Sequence, residues 1–133
     1  MKYRIKKETK PTLATFGKYK AVASHYKTVG TEQILKEVCE HNPISEGVVT
    51  AVIMKLSEVI NRHLRNGDKV RLRDFGLMKL EIESDKVDSP EDFRPKKHIR
   101  GVRLHFIPES NKGKQELYQD IQFEKEKTGS PFR

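Results

Sequence analysis

From Lys69 onward the chain alternates. Val70 and Leu72 sit between Lys69, Arg71 and Arg73, and after Asp74-Phe75-Gly76 the pattern resumes with Met78, Leu80 and Ile82 against Lys79, Glu81 and Glu83. Period-two patterning on both sides of a glycine-containing break predicts an antiparallel hairpin with one oily and one charged face, which needs a cover on one side only. Upstream the period becomes helical. Val48, Val49, Val52, Ile53, Leu56, Val59, Ile60 and Leu64 span an arc of roughly 160° at 100° per residue, wider than one neighbouring surface requires. Such a stripe can face its own sheet and a partner subunit together, and it is the main sequence argument for a dimer. Ile44 at N′, Ser45 as N-cap, Glu46 in the first turn and Val49 at N4 form a hydrophobic staple around a good cap. Asn66-Gly67 supplies the left-handed closure. A shorter helix precedes it, with Thr31 as N-cap, Ile34, Leu35 and Val38 on one face, and Asn42-Pro43 as its end.

The flanks return to period two. Tyr3 and Ile5 alternate with Lys and Arg over residues 2–8, a turn-like region with Pro11 and Gly17 follows, and residues 18–27 predict a second modest strand. Residues 84–98, with Asp85, Asp88, Pro90, Glu91, Asp92 and Pro95, have the composition of an exposed loop or extended arm. A third strand of the central sheet follows over residues 99–107, with Val102, Leu104 and Phe106 on the buried side, Arg103 and His105 on the other, and Pro108 as its stop. Ser110 could cap a short last helix in which Leu117 and Ile121 sit one turn apart, and the stretch from residue 124 is expected to fray.

Length allows one domain with room for an appendage: 133 residues, of which 35% are hydrophobic and 35% charged, thin for a self-sufficient core and in keeping with dimerisation. The single Cys39 rules out an internal disulfide framework and fits a reducing cytosol. No apolar run approaches membrane-spanning length, and the start, MKYRIKKETK, lacks the apolar region of a secretion signal, so a soluble, cytoplasmic protein is expected. The net charge of +8 is concentrated. Residues 1–30 carry eight Lys/Arg against Glu8 alone, whereas the remainder carries 19 Lys/Arg against 18 acids. A basic extension suits a polyanion, most commonly nucleic acid, and a solubilising flank is the alternative. Tyr3, Tyr19 and Tyr26, interleaved with Lys and Arg, could stack on bases, although such tyrosines more often cover a sheet face.

Other classes fare poorly. A helix-turn-helix reader would need Arg, Asn or Gln in the first turn of the long helix, where Glu46 stands instead. Asp74-Phe75-Gly76 copies a kinase tripeptide without the glycine-rich or catalytic loops. His25, His41, His63, His98 and His105 have no metal-ligand spacing, and Cys39 has no partner. No enzyme activity, metal, cofactor or small-molecule substrate is expected.

The order helix, helix, NGDKVRLRDFGLMKLEI, arm, GVRLHFIP, helix resembles the bacterial HU/integration host factor family of histone-like DNA-binding proteins. The matching residues are Gly67, Asp68, Val70, Leu72, Phe75, Gly76, Phe106, Pro108, Gly113, Lys114 and Leu117, over residues 30–123, and with its extra N-terminal strands the chain is most similar to an extended HU-like branch. The resemblance implies an α+β fold: a two-helix hairpin, a three-stranded antiparallel sheet with a β-arm, a short C-terminal helix and an N-terminal β extension over residues 1–29, with residues 124–133 a flexible tail. It also implies an intertwined homodimer that cradles bent double-stranded DNA, nucleoid-associated and able to condense DNA, held by phosphates and duplex deformation.

The expected phosphate contacts are Arg71, Arg73, Lys79, Arg94, Lys96, Lys97, Arg100, Arg103 and Lys114, with Lys2, Arg4, Lys6, Lys7, Lys18 and Lys20 as further candidates. Val49, Val52, Ile53, Leu56, Ile60, Phe75 and Phe106 are the expected dimer interface. The arm departs from the family pattern. Its outgoing limb is acidic, its returning limb basic, and Pro90 or Pro95 would have to stand in for the intercalating proline. Both a DNA-inserting arm and a shorter, internally salt-bridged one remain open. So do two functions: an architectural DNA binder of low sequence specificity, and an HU-like dimer repurposed as a protein-assembly module.

Overall fold

The structure, a computed structural model, describes residues 1–111 and 114–127, apart from the side chains of Asn111 and Lys114. The fold is α+β and forms two compact units. One holds Met1–Ile34 and the described part of Asp120–Arg133; the other is Leu35–Gln119.

The first unit is a three-stranded sheet. Strands β1 (Lys2–Lys7) and β2 (Tyr19–Ala23) pair antiparallel, Tyr3 opposite Ala23 and Lys6 opposite Lys20. The connecting turn closes at Gly17, whose φ of +81° lies in the left-handed region open to glycine. The third strand comes from the far end of the chain. Glu124–Lys125, expected to fray, instead runs parallel beside β1 (we number it β8), with Lys2 opposite Glu124. Here the carboxylate of buried Glu126 accepts a hydrogen bond from the Ser24 hydroxyl at 3.1 Å. A single sequence cannot reveal that closure, because the two strands lie more than a hundred residues apart.

In the second unit the helices lie close to expectation. α1 spans Thr31–Cys39, its first residues belonging to the first unit. Thr31 is already helical, and the Ile34 N–H donates to the Gly30 carbonyl, so the chain enters the helix one residue earlier than the predicted cap. α2 spans Glu46–Arg65, and the Ser45 hydroxyl accepts from the Val48 N–H at 3.2 Å, as its N-cap role requires. Gly67, φ +90°, follows the C-cap Asn66, and its N–H donates to the Leu64 carbonyl.

The central sheet is β3 (Val70–Leu72), β4 (Gly76–Ser84) and β5 (Ile99–Pro108), in that order and antiparallel. α2 packs on β3 and β4. The register puts Val70, Leu72, Met78, Leu80, Ile82, Val102, Leu104 and Phe106 on one face, and Arg71, Lys79, Glu81, Glu83, Arg103 and His105 on the other. Gly76 is obligatory where the hairpin crosses β5: a Cβ there would stand 2.5 Å from the Ile107 carbonyl oxygen and 2.7 Å from the Phe106 ring.

One expectation fails, and at the arm the structure takes the shorter of the two forms left open. The predicted C-terminal helix is absent among the described residues. Ser110–Asn111 (β6) pairs with Lys114–Gln115 (β7), and only a 3-10 turn at Glu116–Tyr118 follows. Leu117 is exposed, and a helix this short is marginal without an apolar surface to bury against. The segment between β4 and β5 is not an extended ribbon to its tip. It folds into a 3-10 turn at Pro90–Asp92 and a single helical turn, α3, at Pro95–His98. Both prolines occupy first-turn positions, where the missing N–H costs nothing, rather than a projecting wedge.

Candidate nucleic-acid interface

Alternation carries the side chains of Arg71, Lys79 and Arg103 to the charged face of the β3–β4–β5 sheet, as expected, but none stands alone. Arg71 meets Glu109 in a forked pair, Nη2–Oε1 2.6 Å and Nε–Oε2 3.1 Å. That pair holds the Glu109 carboxyl below the usual carboxylate range and raises the Arg71 guanidinium above its own. Glu81, in the middle of β4, collects three partners: His105 Nδ1 at 2.9 Å, Arg103 Nη2 at 3.2 Å and Lys79 Nζ at 3.5 Å. The bond to His105 and then that to Arg103 push its carboxyl down. Where β4 ends, Arg100 Nε binds Asp85 Oδ1. Arg73 projects from the turn, fully open to solvent, 4.0 Å from the neighbouring Asp74.

The returning limb divides into structural and free cations. Arg94 Nη1 donates to the carbonyls of Glu91 at 2.7 Å and Phe93 at 3.2 Å, pinning the 3-10 turn. The Arg94 backbone N–H donates to His98 Nδ1 at 2.8 Å, and the imidazole tilts against the Phe93 ring with centroids 5.4 Å apart. Lys96 and Lys97 are exposed on α3 and enter no ion pair among the described residues. Lys114 lies in β7, but its side chain falls outside the described residues. The arm is therefore internally fastened.

The N-terminal candidates lie in the other unit. Lys2, Arg4, Lys6 and Lys20 share one face of the β2–β1–β8 sheet, while Lys7 is on the opposite face, 5.9 Å over the Tyr19 ring. Lys18 stands next to β2, its carbonyl accepting from the Glu8 N–H.

Of the expected interface residues, Val49, Ile53, Ile60 and Phe106 are half-buried within the chain, whereas Val52, Leu56 and Phe75 are exposed. Phe75 leans on Phe106, with centroids 5.0 Å apart, over an open pocket of about 580 Å³ that Leu117 and Pro108 also line. Glu109 and the capping imidazole of His98 were not foreseen. Continuing the β5 alternation past Pro108 would have put Glu109 beside Arg71, but His98 gives no signal before the arm is folded.

Among the described residues no group of His, Cys, Asp and Glu could hold a metal ion, and no helix is long and apolar enough to cross a membrane.

A capped long helix on a three-stranded antiparallel sheet, one face apolar and the other charged, with an arm between its last two strands, is an HU-like architecture. The chain belongs to the family described as an HU domain fused to a wHTH, Ig or glycine-rich motif, whose model matches residues 1–125. A solved structure from Bacteroides vulgatus ATCC 8482, provisionally described as a bacterial DNA-binding protein, shares the fold with a TM-score of 0.60 at 14% identity, over 93% of this chain and 47% of that one. This chain thus spans about half the length of that protein. Among curated proteins none matches.

Proposed function

We propose that the protein is an architectural DNA-binding module that acts as a homodimer, grips duplex DNA through phosphates with little base reading, and bends it. The observation that carries this reading is the open apolar face of the second unit. Val52 (57% exposed), Ile82 (64%) and Val102 (60%) lie uncovered on α2 and on the sheet's apolar side. The chain exposes 11850 Å², against roughly 8,600 Å² for two separate compact units of these lengths on the usual scaling of surface with mass. A second copy would cover that face and leave the charged one outward. Family membership supports a DNA partner, and the exposed cations Arg73, Lys96 and Lys97 are free to meet phosphates. Arg71, Lys79, Arg100 and Arg103 would have to exchange a carboxylate for a phosphate, and Arg94 its carbonyls.

Those same carboxylates favour a second reading, a dimer used for protein assembly with weak DNA binding. Titration of an end-labelled duplex of about 30 base pairs, followed by anisotropy and end-to-end energy transfer, separates the two. The architectural reading predicts salt-sensitive binding with dissociation constants in the range of about 10⁻⁴–10⁻⁶ M at physiological salt, and increased transfer on binding. Absence of binding even at low salt would leave the assembly reading.

A further inference from the structure

We infer that the main duplex-contacting surface is the cationic face of the β2–β1–β8 sheet, centred on Arg4, Lys6 and Lys20, rather than the charged face of the HU-like sheet. This inference rests on the DNA-binding reading and specifies where the phosphates lie.

Charge is the first ground. The first unit, residues 1–34 and 120–133, carries 11 Lys/Arg against five acids, whereas residues 35–119 carry 16 against 14 acids. Pairing is the second. Arg71, Lys79, Arg100 and Arg103 each face a carboxylate at ion-pair distance, but no ion pair among the described residues involves Arg4, Lys6 or Lys20. Register supplies the third. Lys6 and Lys20 are direct cross-strand partners, and Arg4 lies on the same face two residues along β1. Like charges placed opposite one another destabilise a sheet, so the fold tolerates a repulsion that an anion would relieve. The flanks are less basic: Glu8 stands opposite Lys18, Glu124 opposite Lys2, and the buried Glu126 carboxylate, bound to Ser24, lies at the Lys2–Arg4 end. Lys6 and Lys20 are left as the least compensated pair, with Arg4 next to them. Arg4 and Lys6 are about 6.7 Å apart along the strand, with Lys20 about 5.5 Å across from Lys6, a compact triangle of donors.

The arrangement of apolar groups selects among polyanions. Tyr3, Ile5, Ala21, Val22, Ala23 and Phe123 line a hollow, with Tyr3, Ile5, Ala21 and Ala23 on the reverse side of the strands, where Tyr19 also lies beneath Lys7. A single-strand groove needs aromatic rings on the side that holds the cations, where bases can stack. An interfacial membrane surface needs apolar groups and cations to meet the same headgroup layer. Here Tyr3 and Tyr19 are on the opposite side of the sheet from the cation triangle. The cationic side carries Val22 opposite Arg4 and, at its Lys2 end, the Tyr26 ring 5.7 Å beneath the ammonium. Around Lys6 and Lys20 it therefore offers charge and donors with little to insert. That suits the outer, phosphate-lined surface of a duplex.

The test compares salt dependence. Neutralising three phosphate-contacting cations should make the slope of log K against log salt shallower by about 2.7 for each bound sheet. The variant Arg4→Gln/Lys6→Gln/Lys20→Gln is measured beside Lys7→Gln/Lys10→Gln/Lys27→Gln, which removes the same charge from elsewhere in that part of the chain. The inference predicts the shallower slope and at least a tenfold loss of duplex affinity at physiological salt for the first variant, with the second near wild type. It also predicts that the first variant melts no lower than wild type, since the Lys6–Lys20 repulsion is gone. An unchanged slope for the first variant, while wild type binds duplex, would overturn this inference alone. Equal losses in both variants, or a loss confined to binding of anionic phosphatidylserine vesicles, would overturn it as well. Wild-type protein that ignores duplex at every salt concentration would overturn the functional reading first, and this inference with it.

Discussion

Glu81 shows how much of the charged face depends on one side chain. It sits between Arg103, His105 and Lys79, and with Glu109 it neutralises most of the cations that alternation delivers to that face. Both carboxyls lie below their ordinary range in the folded chain. A depressed folded pKa contributes stability that is fully present above the unfolded value, about 4.3 for a glutamate, and is lost as the pH falls through the folded value. Melting temperature followed from pH 6 downward should therefore drop more steeply for wild type than for Glu81→Gln/Glu109→Gln. Parallel curves would mean that these contacts carry no net linkage. At this scale the sequence exposed the identity and facing of the cations but not their partners. Arg71 and Glu109 are 38 residues apart, and only the β4–β5 register and the chain's path past Pro108 bring them together.

Elements were legible wherever a periodic run carried its own punctuation. α2, with Ser45 before it and Gly67 after it, and the β3–β4 hairpin around Asp74-Phe75-Gly76 formed as their patterns required. Elements that depend on distant partners were not legible. β8 exists because β1 offers it an edge, and the predicted last helix gave way to a small strand pair and a 3-10 turn in which Leu117 stays exposed at the rim of the Phe75–Phe106 pocket. The arm lies between these cases. Its composition marked it as exposed, but its folded tip depends on His98 accepting from the Arg94 N–H and on Arg94 holding two carbonyls. His98→Ala should speed hydrogen exchange at the Arg94 amide while global melting stays near wild type; an unchanged exchange rate would show that the imidazole does not fasten the arm. Reversing Arg94 or Arg100 to probe DNA binding would also unfasten this segment, so Lys96 and Lys97 are the cleaner positions there.

At the scale of the whole molecule, one chain leaves much apolar surface open. Leu35, Leu64 and Met78 are its only buried hydrophobics among the described residues, while Val48, Val52, Ile82, Val102 and Leu104 face outward. The broad apolar arc of α2 anticipated this, since a stripe wider than one surface needs a second one. Sedimentation equilibrium at micromolar concentration tests the point most directly. The account predicts a single species of twice the chain mass that shifts toward monomer in Val52→Glu/Leu56→Glu. A wild-type chain that remains a folded, monodisperse monomer would contradict it.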